Sequence, residues 1–169
     1  PLKLNYIYLN PTGNKIEGLP VYNYVQDEAS LFGLELSRSR ETSIEWLSYK
    51  TSLAYVNGEK KNREYLPLIP PITLKHSFDF DFDNSSFQIS ALAKGKKQNL
   101  GLFETETNSY FVMDISGSHD LNLLDNTINL SWAVNNLLDR EYYDHLSRLK
   151  NIGIHEMGRN ISIGLNYKF

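Results

Sequence analysis

Histidine and carboxylate side chains come close together in one stretch of this 169-residue chain, at Asp144-His145 and His155-Glu156. Imidazole and carboxylate groups are suitable ligands for a borderline divalent metal such as zinc. A loop that captures a metal or another ligand is therefore one hypothesis for these four residues. The plainer interpretation, which we favour, is a loop whose polar side chains hydrogen-bond to one another.

No pattern in the chain is typical of an enzyme, and no cofactor is expected. The sequence has no Walker loop or dinucleotide fingerprint, and its serines lack a nucleophile-elbow context. The chain contains no Cys, which excludes disulfides and cysteine metal sites. Seventeen basic and 20 acidic residues give a net charge of −3, so a nucleic-acid partner is not expected.

Apolar residues recur at every second position, which predicts β-strands rather than helices. The last segment is the clearest case, because one face would carry Ile161, Ile163, Leu165, Tyr167 and Phe169. The other predicted strands cover residues 3–9, 21–38, 46–55, 72–83, 87–93, 111–115 and 127–135. The chain therefore predicts about eight strands and no helix.

The predicted connections alternate between long and short. The long ones are residues 10–20, 57–71, 95–109 and 136–158. The short ones are residues 39–42, 84–86 and 122–126. Alternation of this kind is typical of an up-and-down barrel across an outer membrane, with short periplasmic turns and long outer loops. A mean hydropathy of −0.41 does not contradict a barrel, because only alternate strand residues face lipid.

The two faces of the predicted strands differ in character. Charged residues such as Lys50, Asp79 and Asp81 fall opposite the apolar set, where a wet barrel lumen would accommodate them. Candidate rim or girdle aromatics are Tyr6, Tyr8, Tyr49, Tyr55, Trp132, Tyr142, Tyr143, Tyr167 and Phe169. Basic clusters at residues 60–63 and 94–97 are interpreted as solvated loop ends, with contact to lipopolysaccharide or an anionic ligand as the alternative.

The C-terminal part resembles the C-terminal end of TonB-dependent outer-membrane receptors. Residues 135–140 read Asn-Asn-Leu-Leu-Asp-Arg, close to the Asn-Leu-Phe-Asp-Lys/Arg-like end of that family's penultimate strand. Gly158-Arg159-Asn160 is similar to the motif that begins the last strand, and a terminal aromatic closes the chain. Leu138 departs from the family pattern, where Phe is usual. Further similar segments are residues 9–13, 17–22, 31–36, 52–58 and 66–71.

The resemblance implies a barrel of about 22 strands in the outer membrane of a Gram-negative bacterium, closed by an N-terminal plug. Residues 1–169 would be its C-terminal segment, with the plug domain absent, and the start at Pro1 indicates a mature or truncated product. Such receptors import iron–siderophore, haem, cobalamin, metals or glycans with energy from an inner-membrane complex. Implied partners are the rest of the barrel and its plug, that energy-coupling complex, and outer-membrane lipid with lipopolysaccharide.

Tyr167 and Phe169 resemble the C-terminal signal that the barrel-assembly machinery reads. The last strand is also an unpaired edge until a barrel closes, which gives the signal a physical basis. Two alternatives stay open on the residues alone. One is a self-contained eight-stranded outer-membrane barrel with a structural or adhesion role, and the other is a soluble antiparallel barrel that binds an apolar ligand.

Overall fold

A computed structural model describes residues 2–123 and 126–168. Their strands form one antiparallel sheet, in which each strand lies beside the next one in the sequence. The strands are β1 (Leu2–Ile16), β2 (Leu19–Glu41), β3 (Leu47–Lys60), β4 (Thr73–Phe82), β5 (Ser85–Lys94), β6 (Tyr110–Leu123), β7 (Asn126–Asn135) and β8 (Asn160–Lys168). The all-β, up-and-down prediction is therefore confirmed. A short 3₁₀ helix, Arg148–Ile152, lies in the last loop, where no helix was predicted. No helix in the described part of the chain is long and apolar enough to cross a membrane.

The strand register separates the sheet into an apolar face and a polar face. Gly117, Trp132 and Ile163 are direct partners across β6, β7 and β8, so they share the apolar face. Ile161, Ile163 and Leu165 on this face of β8 are 66%, 76% and 68% exposed. Within the described residues no second layer of strands or helices covers them. In the described part of the chain, this face is therefore not packed against a second layer.

The polar face carries the charged set that the alternation predicts. Lys50 pairs with Ser77, and Ser48 pairs with Asp79, across β3 and β4. Tyr6 and Tyr8 also belong to this face, since Tyr8 stacks beside Tyr6 and lies under the Lys60 ammonium, 3.9 Å from its ring centre. Girdle residues would lie on the apolar face, so the assignment of Tyr6 and Tyr8 as girdle residues is wrong. The pairing of β1 with β2 decides which side chains of β1 share a face, whatever their residue types.

The alternation of long and short connections is confirmed at the five junctions that the structure describes after the first one. Two short turns, residues 42–46 and 83–84, lie at one end of the sheet, and residues 124–125 lie outside the described residues. Three long loops, residues 61–72, 95–109 and 136–159, lie at the other end and are called the loop cluster below.

The first connection is a long hairpin and not the loop that was predicted over residues 10–20. Pairing continues to Ile16 opposite Leu19, and the register shifts between Pro11 and Lys15, directly after the proline that cannot donate to the ladder. Glu17 and Gly18, both with positive φ, make the two-residue turn. β2 has 23 residues, about twice the length that crosses a bilayer, so this hairpin extends well beyond the neighbouring strands.

Both outer strands of the sheet have an open edge. Among the described residues β1 pairs with β2 and β8 pairs with β7, and β1 and β8 are not paired with each other. Pairing of β1 with β2 ends at Leu2 and Leu31. The part of β2 after Leu31, called its lower half below, therefore has a neighbour only on its β3 side among the described residues.

Candidate functional site: the loop cluster

Asn136 closes the neck of the longest loop. Its buried side-chain amide donates to the carbonyls of Arg140 (2.9 Å) and Met157 (3.2 Å), and its Oδ1 accepts the Arg140 N–H at 2.8 Å. Its own backbone N–H donates to Asp114 of β6 at 2.7 Å. A positive φ of 49° at Asn136 makes this arrangement possible, and Asn tolerates that conformation better than most residues. One side chain therefore joins both ends of the loop.

The two motifs that carry the family resemblance, residues 135–140 and 158–160, are hydrogen-bonded to each other at this neck. Asp139 Oδ1 accepts the Arg159 N–H at 2.8 Å, and Arg159 Nε donates to the Leu137 carbonyl at 3.0 Å. A Cβ on Gly158 would lie 3.1 Å from Asp139 Oδ1, which explains the small residue there. Leu138, the departure from the usual Phe, is 56% exposed. The change at that position leaves the neck hydrogen bonds in place.

Asp144 holds the loop against the polar face of the sheet. Its carboxylate forms an ion pair with Lys94 and accepts hydrogen bonds from the Tyr110 hydroxyl (2.7 Å) and the Leu146 N–H (2.9 Å). Burial alone would raise the pKa of Asp144, but these hydrogen bonds outweigh burial and lower it. The Tyr142 ring packs 4.2 Å from the Tyr110 ring, and Tyr110 is buried under the loop.

His145 is buried at the centre of the cluster with its Nδ1 atom 2.8 Å from Thr107 Oγ1. Lys150 Nζ donates to the same hydroxyl at 2.6 Å, which leaves the hydroxyl proton for His145 Nδ1. On this assignment, made from the hydrogen-bond network, Nε2 carries the ring proton and faces Glu104 Oε1 at 3.3 Å. Nε2 makes no hydrogen bond of good geometry.

The charge state of His145 follows from its surroundings. Burial lowers its pKa, and the neighbouring ammonium groups of Lys150 and Lys97 lower it further, while Glu104 acts in the opposite direction. The net result is a pKa below the ordinary value of 6.5. His145 is therefore neutral at pH 7.

Glu104 connects the three long loops. Its two carboxylate oxygens accept the backbone N–H of Leu68 (2.6 Å) and the backbone N–H of Gly101 (2.8 Å), and the side chain is only 10% exposed. A Cβ at Gly101 would lie 2.3 Å from Pro67 N, so the first two loops also touch backbone to backbone. With His145 beside the carboxylate, residues 61–72, 95–109 and 136–159 form one packed unit.

The four predicted metal or ligand residues do not come together. Asp144 and His145 face different partners, the His155 ring stacks on Tyr143 at 4.2 Å, and the Glu156 N–H donates to the Tyr142 carbonyl. In the described ranges no group of three His, Cys, Asp or Glu side chains is placed to hold a metal ion. Ligand or metal binding by these residues stays a prediction.

The predicted aromatic residues lie in three places. Tyr142 and Tyr143 are in the longest loop, where Tyr143 donates to the Gly153 carbonyl at 3.2 Å, so both anchor the loop. Trp132 lies on the apolar face with its ring 5.9 Å from Phe87. Tyr167 lies on the same face and is 50% exposed, and Phe169 lies outside the described residues.

Sequence reasoning did not find Glu104, Thr107 or Lys150. Their partners are distant in sequence, as for Glu104 with Leu68 and Lys150 with Thr105, and no local spacing indicates such pairs. The interpretation of both basic clusters as solvated is wrong in part. Lys60 and Lys97 are only 6% and 8% exposed, because Lys60 packs on Tyr8 and Lys97 is covered by the loops.

A cleft of about 500 Å³ separates the second and third long loops. Its lining combines an aromatic ring at Tyr143, cationic groups at Arg140 and Lys150, and a carboxylate at Glu106. Aromatic faces with several hydrogen-bonding groups can hold a ligand by stacking and by polar contacts. The cleft is therefore a candidate ligand-contact surface within the loop cluster.

Comparison with known proteins gives one family and a set of similar folds. Residues 3–137 match the family model described as TonB dependent receptor-like, beta-barrel. No curated protein matches the sequence. Among solved structures, the fold is similar to that of the copper transporter OprC, with a TM-score of 0.83 and 18% sequence identity over 99% of this chain. The chain spans 27% of the length of that protein, so this likeness concerns the fold of one part of it.

Proposed function

Since this chain belongs to the TonB-dependent receptor-like β-barrel family, we propose that it is the C-terminal barrel part of an outer-membrane receptor that imports a scarce ligand. The import would use energy from an inner-membrane complex. The ligand would be one of the classes that such receptors carry, namely an iron–siderophore, haem, cobalamin, a metal or a glycan.

The packed loop cluster at one end of a two-faced sheet is the observation that carries this proposal. The apolar face is exposed along β8, and burial of apolar area in lipid would stabilise it. The loops at the opposite end from the short turns are tied together through Glu104. A lipid-facing wall with a preformed outer surface is what capture and passage of a ligand require.

The charged residues of the polar face favour a barrel lumen that contains a plug domain. Lys50, Lys75 and Asp79 lie on this face of β3 and β4. Charged groups there would face water or the polar surface of a plug, which removes most of the cost of burying them. The plug would in turn contact the energy-coupling complex.

The open edges of the sheet favour a larger barrel over the self-contained alternative. An eight-stranded barrel needs its first and last strands to pair, and in the described residues β1 and β8 do not. Strands from the remaining part of the receptor would cover both edges.

The ligand itself can be identified by an uptake comparison. Cells that make the native protein and cells that lack it are given labelled ferric siderophores, haem, cobalamin, copper and oligosaccharides. Copper belongs in this set because the similar solved structure is a copper transporter. We expect one ligand to accumulate only when the protein is present, and a protonophore that de-energises the inner membrane to abolish its uptake. Uptake that is insensitive to the protonophore, or a protein recovered in the soluble fraction, would contradict the proposal.

A further inference from the structure

Two arginines on β2 lie on the apolar face of the sheet. Arg38 pairs with Thr51 and Arg40 pairs with Tyr49, in the same alternating set as Leu36. Both arginines are exposed, and among the described residues neither has an ion-pair partner. They follow Phe32, Leu34 and Leu36 on the same face and end this apolar stretch of the strand, and so they need a physical explanation.

Their height in the sheet places them beside the short-turn end. Arg40 and Arg38 precede the turn at residues 42–46 by two and four positions. With a rise of about 3.3 Å per residue and a strand tilt of about 45°, they lie about 5 and 9 Å above that turn. A lipid-facing cation is costly at the bilayer midplane and inexpensive near the interface, and a long arginine side chain can extend towards the surface.

Aromatic side chains mark the same level as a membrane interface. Trp46 is in the short turn, and its ring stacks 6.2 Å from Phe80 and 5.5 Å from Phe82. Rows of such rings border the apolar band of outer-membrane barrels. Next to Arg38, Thr51 Oγ1 lies 2.7 Å from His76 Nδ1, which adds a hydrogen-bonded polar pair to the apolar face.

The local charge on this face is positive. Glu35 and Glu41, the closest carboxylates along β2, belong to the polar face by their pairing. Glu45, in the short turn, forms no ion pair with either arginine in the described part of the chain. Two unneutralised guanidinium groups at a membrane interface are suited to an anion from the membrane itself.

We propose that Arg38 and Arg40 bind the phosphate of an anionic phospholipid on the periplasmic side of the barrel. Each guanidinium presents a fork of N–H donors that matches a phosphate, and the two lie on one face at successive alternate positions. The site is separate from the loop cluster, because it lies at the short-turn end of the sheet. Its occupant is a phospholipid headgroup, and the apolar face beside it accommodates the acyl chains.

Binding of phosphatidylglycerol to the purified native protein tests this site. Lipid retention is measured by native mass spectrometry and in nanodiscs made of phosphatidylcholine with and without phosphatidylglycerol. Each arginine should contribute about fivefold to the affinity, so the double variant Arg38→Gln/Arg40→Gln should bind phosphatidylglycerol about 25-fold more weakly. Lys50→Gln is the matched control, since Lys50 pairs with Ser39 at the same height but lies on the polar face.

Three results would overturn the proposal. One is equal retention by the wild type and the double variant, and another is an equal loss in Lys50→Gln. The third is a wild-type protein that binds phosphatidylglycerol no better than phosphatidylcholine, a comparison that holds even if the double variant fails to assemble. A double variant that keeps its lipid affinity but loses heat stability would assign the two arginines a structural role and would likewise overturn the proposal.

Discussion

Glu104→Gln is the substitution that most directly tests whether the three long loops act as one unit. The Glu104 carboxylate accepts the N–H groups of Leu68 and Gly101 with two separate oxygens. Glutamine has nearly the same shape but only one acceptor oxygen. The glutamine NH₂ group would therefore face one of the two backbone N–H donors, and that N–H would lose its acceptor.

The magnitude follows from these two hydrogen bonds. A hydrogen bond to a charged group contributes about 1.5–3 kcal/mol. We expect local opening of the loops to become easier by about 2–3 kcal/mol. Because each 1.4 kcal/mol is a factor of ten, amide protection at Leu68 and Gly101 should fall about 30- to 140-fold.

Hydrogen–deuterium exchange on the native protein measures this loss directly. The affected amides lie in different loops, so faster exchange in both residues 61–72 and 95–109 is the expected signature. Glu106→Gln is the matched control, because the Glu106 carboxylate is exposed and pairs with Lys96 at the surface, 3.0 Å away. The reasoning fails if Glu104→Gln exchanges like the wild type, or if both variants change equally.

Three further predictions concern the loops and the chain end. Burial lowers the pKa of His145, and Lys150 lowers it further, so the unfolded chain binds its proton more tightly. The loop cluster should thus lose stability as the pH falls below about 6.5, and exchange compared at pH 7.5 and 5.5 should show this in the wild type but not in His145→Gln. Gly101→Ala should accelerate exchange in both neighbouring loops, because the new Cβ would overlap the backbone of Pro67; normal exchange would contradict this close approach. Deleting Phe169 should reduce the amount of protein in outer-membrane fractions more than it reduces ligand affinity, and normal membrane levels would refute an assembly role.

The faces of the strands could be predicted from the sequence because side-chain direction alternates with period two. Ile161, Ile163 and Leu165 fall on one face in the sequence pattern and in the structure. The hairpin end could not be predicted in the same way. Asn-Pro-Thr-Gly at residues 10–13 is a local turn signal, yet pairing of β1 with β2 continues past it to Ile16.

The contacts within the loop cluster could not be read from local pattern. His145 attracted attention because imidazole is a common ligand, and its actual partners are Thr107 and Glu104, from a loop that ends far earlier in the chain. The residue types of the loop at 136–159 indicated that its polar side chains form hydrogen bonds within the protein. They did not indicate which groups are the hydrogen-bond partners. Asn136 is the exception, because the Asn-Leu-Leu-Asp-Arg motif marks the loop neck in the sequence itself.

In a membrane, the open edges of the sheet would make the stability of this segment depend on the strands that pair with those edges. Along β8 and along the lower half of β2, backbone N–H and C=O groups face away from any strand in the described chain. Lipid offers these groups no hydrogen bonds, and each one left unsatisfied there costs several kcal/mol. In the proposed membrane barrel, insertion of these eight strands would therefore be coupled to the arrival of strands at both edges. The cooperative unit of folding would then be the closed barrel and not this segment of it.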